Sequence, residues 1–213
     1  MTPERAKLAV LASGRGSNFE AIVRRCQDRD FPAQVACLVT DNAHAGAVAI
    51  AHANGIVVET VTGGPRRGRL APGAERRIVD VCRHAGAQWV VLAGFMRILR
   101  TDVLDAYRGR IINVHPSLLP AFPGLHAQRQ ALEYGVRVAG CTVHFVDRSV
   151  DGGPIILQAA VPVRDDDDEE SLSSRIRKEE HRILCKSIEL LAYGRLRLDG
   201  RRTKGSDEEK SSE

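Results

Sequence analysis

The sequence predicts an α/β fold: a mostly parallel, twisted sheet with helices on both faces and an antiparallel extension in the C-terminal half. Three observations carry this reading. Short apolar runs alternate with segments of helical period, a glycine-rich turn directly follows the first run, and two long apolar runs late in the chain flank an Asp-Gly-Gly-Pro turn. Strands alternating with helices imply βαβ units and hence parallel pairing with right-handed crossovers.

The elements follow in order. Lys7–Ala12 is a buried strand, and Ser13-Gly14-Arg15-Gly16-Ser17-Asn18 is the turn after it. The helix that follows places Phe19, Ile22, Val23 and Cys26 on one apolar face. Val35–Thr40 and Ile56–Val61 are the next strands, with a helix over Ala45–Asn54 between them. Thr62–Ala74, rich in Gly, Pro and Arg, is a loop. Glu75–Ala85 is helical and Trp89–Ala93 is a fourth strand. Prolines 116, 120 and 123 make His115–His126 irregular. Ala139–Val146 and Ile155–Val163 form the hairpin-like extension, and a last helix spans about Ser171–Tyr193, preceded by the acidic run Asp165–Glu170. Arg201–Glu213 has no strong apolar residue, so a single domain over 1–200 with a disordered tail over 201–213 is expected. The order of elements is Rossmann-like, and ligands in such sheets bind at the carboxyl ends of the strands.

Composition narrows the function classes. The chain has 213 residues, 43% hydrophobic and only 4% aromatic, so aliphatic side chains must fill the core. A net charge of +4 suits a small anionic substrate, and no basic run interleaved with aromatics points to nucleic acid. The five cysteines are odd in number and lack C-x-x-C spacing, which fits unpaired thiols in a reducing compartment. No signal peptide and no membrane span are expected, so the location is cytoplasmic. Histidines and cysteines lack zinc spacing, and no metal is expected.

Four places can carry chemistry. In the turn, backbone N–H groups at a helix start, freed by Gly14 and Gly16 and joined by Ser17 and Asn18, make a site for one phosphate. An ordinary strand–helix turn capped by Ser17 or Asn18 is the bland alternative. The spacing is neither the dinucleotide fingerprint nor a P-loop. Asn113 and His115 end an apolar run and share a face if it is extended. An amide and an imidazole there can stabilise an oxyanion, although for a lone N-x-H an edge histidine with its bonds satisfied is the favoured reading. Asp151 sits in a glycine-rich turn where turn chemistry alone accounts for Asp. Glu180 lies within the stripe formed by Leu172, Ile176, Leu184, Ile188 and Leu191, so a carboxylate on a buried face needs a partner: an internal Arg or ligand hydroxyls. No Gly-x-Ser-x-Gly elbow is present. Direct transfer between two bound substrates therefore fits better than a covalent enzyme intermediate.

Together, Ser13–Asn18, Val91–Leu99, Asn113–Pro120, Pro123–His126 and Asp151–Gln158 resemble the glycinamide ribonucleotide formyltransferase family, in the same order over residues 7 to 198. The resemblance implies the formyltransferase fold and transfer of a formyl group from 10-formyltetrahydrofolate to the amine of glycinamide ribonucleotide. It implies Asn113, His115 and Asp151 as the catalytic trio. Gly16, Ser17 and Asn18 then hold the ribonucleotide phosphate, and Glu180 meets its ribose side. Arg97, Ile98 and Leu99, with Asn113 and the Val146–Asp151 turn, line the folate pocket. The Arg-rich loop departs from the family pattern, and Arg66, Arg67 or Arg69 is a candidate for a polyglutamate tail. Arg15, bulky and charged inside the phosphate turn unless its side chain points outward, and the tail after Gly200 are further departures. A homodimer is compatible with the resemblance. Two other readings compete: a relative with another acceptor (methionyl-tRNA, or water as in deformylases), and a non-catalytic nucleotide or folate sensor.

Overall fold

The computed structural model describes residues 4–64 and 68–205. The chain divides into two compact units, residues 1–113 with 146–148, and residues 114–145 with 149–213.

In the first unit the elements run β1 (Ala6–Leu11), α1 (Ser17–Gln27), β2 (Ala33–Thr40), α2 (Gly46–Ala53), β3 (Val57–Thr60), α3 (Ala74–His84), β4 (Trp89–Leu92), α4 (Thr101–Ala106) and then β5 (Ile111–His115), which runs on into the second. The strands are parallel in the order β3-β2-β1-β4-β5. Chain order therefore reverses between β1 and β4, the switch point where such sheets open a crevice at their carboxyl ends. The glycine turn leaves β1 at this point, and Ser13 N–H donates to Gly94 O at 3.1 Å just beyond β4. Strand interiors read as near-continuous apolar runs because both faces are covered. Leu11, Val39, Ile78, Val90 and Val103 belong to one buried cluster that α3 and α4 help close. The amphipathic period of α3 accounts for this: Ile78, Val79 and Cys82 point inward and its arginines outward.

In the second unit the irregular stretch after β5 leads to α5 (Ala127–Tyr134), then β6 (Val138–Phe145), β7 (Ile155–Pro162), α6 (Glu169–Ala192), β8 (Leu196–Asp199) and β9 (Arg202–Gly205). Strands β6 and β7 pair antiparallel, with a shift in register at Val143/His144. The 24-residue α6 packs on both. It starts at a capping box in which Asp168 accepts from Ser171 N–H while the Ser171 hydroxyl accepts from Asp168 N–H. Its inward stripe includes Leu172, Ile176, Leu184 and Ile188. Truncating one such leucine to alanine costs about 2–5 kcal/mol.

Two expectations change, and the two short helices α4 and α5 occupy stretches to which the sequence reading assigned no element. The Thr62–Ala74 loop is closed on itself by a bridge between Gly63 and Leu70 and by Gly64 N–H donating to Arg69 O at 2.7 Å. Arg66 and Arg67 lie outside the described residues. The tail expected to be disordered from Arg201 instead begins with β9, paired to β8 in the register Asp199↔Arg202. Backbone pairing across a two-residue turn holds this segment although it buries little apolar surface. Residues 206–213 lie outside the described residues. Among the described residues, no helix is long and apolar enough to cross a membrane.

Candidate active site

The second unit brings His115 and Asp151 together across 36 positions of sequence. His115 Nδ1 lies 3.5 Å from Asp151 Oδ2, and the two side chains are 6% and 14% exposed. The other ring nitrogen, Nε2, is 2.9 Å from Phe122 O. A carbonyl only accepts, so Nε2 carries a hydrogen and donates. Asp151 Oδ2 also accepts from Gly124 N–H at 2.8 Å. The proline-rich loop thus supplies an acceptor for the histidine and a donor for the aspartate, which fixes both side chains from one backbone segment.

That loop is itself anchored through a buried hydroxyl. Thr142 Oγ1 donates to Ser117 O at 2.7 Å and accepts from Leu119 N–H and Gln158 Nε2, each at 3.0 Å. Gln158 Nε2 also donates to Leu119 O at 2.9 Å, and Ser117 Oγ to Ala121 O at 2.6 Å. The Thr142 hydroxyl both donates and accepts in this net, so it ties the loop backbone to β6 and β7. Phe122, His126 and Asp151 have positive φ (52°, 59° and 50°). Such values are uncommon outside glycine and concentrate where surrounding structure over-determines the backbone.

His144 was not anticipated. It is 2% exposed on β6, its Nδ1 donates to Phe145 O at 2.8 Å, and its Nε2 lies 3.8 Å from Asp151 Oδ1. The carboxylate therefore sits between two imidazoles. A histidine inside the apolar run Ala139–Phe145 was the available signal, because a buried imidazole requires partners. Glu180 is 8% exposed within the stripe of α6, as its spacing required.

The remaining predicted residues belong to the first unit. Asn113 precedes His115 by two positions on β5, so their side chains share a face of that strand. Gly16, not Ser17 or Asn18, is the N-cap of α1, with φ 85°. Having no side chain, it cannot cap the first-turn N–H groups, which is the arrangement an anion can use. A Cβ on Gly16 would lie 2.8 Å from Ala47 Cα, so α2 approaches too closely for any other residue. Arg15 is exposed.

Arg97 is held rather than free. Its Nε donates to the buried carboxylate of Asp41, and its Nη1 lies 3.4 Å from Arg69 O. Ile98 is 52% exposed, and its N–H donates to Gly68 O at 2.9 Å. Leu99 is buried in the core cluster, and Val146 packs against that cluster, so the side chains of both are engaged in packing. Arg69, Ile98 and Arg100 border a cleft of about 270 Å³. Among the described residues, no group of three or more His, Cys, Asp or Glu side chains is placed to hold a metal ion.

Comparison with known proteins gives the family. The formyl transferase family model matches residues 6–188. Phosphoribosylglycinamide formyltransferase of Bacillus subtilis is 43% identical over 176 residues, covering 83% of this chain and 89% of that protein. The trifunctional purine biosynthetic protein adenosine-3 of Drosophila pseudoobscura pseudoobscura is 42% identical over 202 residues, and the chain spans 14% of its length. Among solved structures, glycinamide ribonucleotide transformylase 1 from Symbiobacterium toebii superposes with a TM-score of 0.90 at 46% identity, covering 95% of each chain. With the match spanning most of its length, the chain belongs to the formyl transferase family.

Proposed function

We propose that this chain transfers the formyl group of 10-formyltetrahydrofolate to the amine of glycinamide ribonucleotide, in purine biosynthesis, within a single functional domain over residues 1–200. The observation that carries the reading is the His115–Asp151 pair at 3.5 Å, each side chain anchored to the same loop. The separation exceeds an ordinary hydrogen bond, so the Nδ1 edge is near the carboxylate without being locked to it.

In the proposed reaction the uncharged amine attacks the formyl carbon. A carbon–nitrogen bond forms and the carbonyl pair moves onto oxygen, giving a tetrahedral oxyanion. His115, as imidazolium, and the Asn113 amide stabilise that charge with N–H donors placed before it develops. Asp151 accepts the proton from the attacking nitrogen, directly or through one water. The oxyanion then collapses, the bond to N10 breaks, and N10 takes the proton held by Asp151, directly or through the same water, which restores the carboxylate. Formylated ribonucleotide and tetrahydrofolate leave, with no covalent enzyme intermediate. The N-terminus of α1 at Gly16, Ser17 and Asn18 binds the phosphate, and Glu180 meets ribose hydroxyls. Arg97, Ile98 and the backbone of Leu99 and Val146 receive the folate, with Arg69 and the adjoining cleft toward its glutamate tail. We place the enzyme in the cytoplasm, with a homodimer as a further proposal.

The test is His115→Ala. Turnover should fall to near background while the ribonucleotide, titrated calorimetrically, still binds. Near-normal rates from this variant would remove His115 from the mechanism.

A further inference from the structure

The turn between β8 and β9 reaches back to the segment that carries Asp151. Arg201 Nη2 donates to Gly152 O at 2.8 Å, and Thr203 Oγ1 donates to Ile155 O at 2.8 Å. These carbonyls bracket the residues that follow Asp151, and β9 packs against β7 at the same place. On the other side Phe145 N–H donates to Pro154 O at 2.8 Å. Space inside the turn is already taken, since a Cβ on Gly152 would lie 2.4 Å from Ser149 Oγ.

The backbone of Asp151 is left-handed, a region that Asp visits more readily than most side chains but still at some cost. Ties on both sides of the residue favour it there. The Gly124 N–H ties the carboxylate. The main chain immediately after it is tied by Arg201 and Thr203, both beyond residue 188, where the family match stops. Rates in such sites depend on the placement of a catalytic group to well under 1 Å, so its support affects turnover without touching substrate.

We propose that the β8–β9 hairpin is a positioning device for the Asp151 carboxylate, with Arg201 and Thr203 as its positioning residues. The proposal rests on the role given to Asp151 above. In the full chain, Arg201→Ala and Thr203→Val should each lower kcat by about 3- to 10-fold, the range expected for one lost hydrogen bond. KM for the ribonucleotide should hold. Arg201→Lys and Thr203→Ser, which keep a donor, should recover most of the rate. Arg202→Ala, the exposed neighbour between them, should behave as wild type.

An Arg201→Ala/Thr203→Val double variant with unchanged kcat would overturn the proposal. So would a loss that tracks the melting temperature and that Thr203→Ser does not restore, because it would reflect folding alone. Asp151→Asn, measured alongside, separates the two levels. If it stays active, the role of the carboxylate fails. If it is inactive while the double variant is normal, only the hairpin's role fails.

Discussion

Replacing Asp151 by Asn tests the charge at the centre of the site with little other disturbance. Asn tolerates a left-handed backbone, so φ of 50° is retained, and its amide oxygen can still accept from Gly124 N–H. What disappears is the negative charge 3.5 Å from His115 Nδ1. At an effective dielectric near 20, the gross attraction between that carboxylate and an imidazolium is about 5 kcal/mol. If half of it is felt at the transition state, the rate falls by roughly 50-fold. Loss of the proton acceptor adds a further factor on the order of 10² or more. Multiplied, these predict a fall in kcat of about 5 × 10³-fold or more, with KM for the ribonucleotide little changed. Steady-state release of tetrahydrofolate reads the rate, and circular dichroism verifies the fold. A correctly folded Asp151→Asn protein with near-wild-type kcat would refute both the electrostatic argument and the assignment of the proton acceptor.

Other outcomes follow from the same structure. Gly16→Ala puts a Cβ against Ala47 Cα at a left-handed position, at a cost of at least about 1–2 kcal/mol from the backbone alone; denaturant unfolding should show the loss and KM for the ribonucleotide should rise, whereas unchanged values of both would mean that the turn is not the phosphate cradle. Burial pushes the Cys26 thiol up to about 11 and the Cys141 thiol up to about 12. At pH 7.5 only about 1 in 3,000 Cys26 thiols is ionised, so both cysteines should resist iodoacetamide until the protein is unfolded, and rapid native labelling by mass spectrometry would contradict this. The Arg175 guanidinium, ahead of the Arg164 N–H, holds the Asp167 carboxyl well below the usual carboxylate range. Its contribution is present above about pH 4 and is lost as pH falls through the lowered folded value. Wild type should therefore exceed Asp167→Asn in stability by a constant margin from pH 5 to 8, and the two curves should converge in acid; a margin appearing only above neutrality would be wrong in sign.

The parallel half of the fold was legible because buried strands and amphipathic helices have distinct periods, and Leu8–Leu11 or Phe19–Val23 follow them cleanly. Glu180 was legible for a related reason: a helical period assigns each residue a face, and a carboxylate on the apolar face stands out. The approach of Asp151 to His115 was not legible from periodicity. It depends on loop 116–126, whose shape comes from one buried threonine and a few backbone groups rather than from a repeating pattern; only the likeness of motifs joined the two residues beforehand. The short helix α4 has six residues, too few for a period to emerge. The β8–β9 hairpin was missed because half of its residues are charged and only Leu196 and Leu198 are strongly apolar, and apolar content is the usual index of order. The Gly200-Arg201 pair between two extended segments, with glycine first, was the overlooked hairpin signal.

The most direct test of the account supplies the enzyme with 10-formyltetrahydrofolate labelled at the formyl carbon and follows where the label goes, with and without glycinamide ribonucleotide. The account predicts label in the new amide of the ribonucleotide, and almost no turnover when the acceptor is withheld. Label released as formate at the same rate in both reactions would contradict it, because water and not the amine would then be the nucleophile.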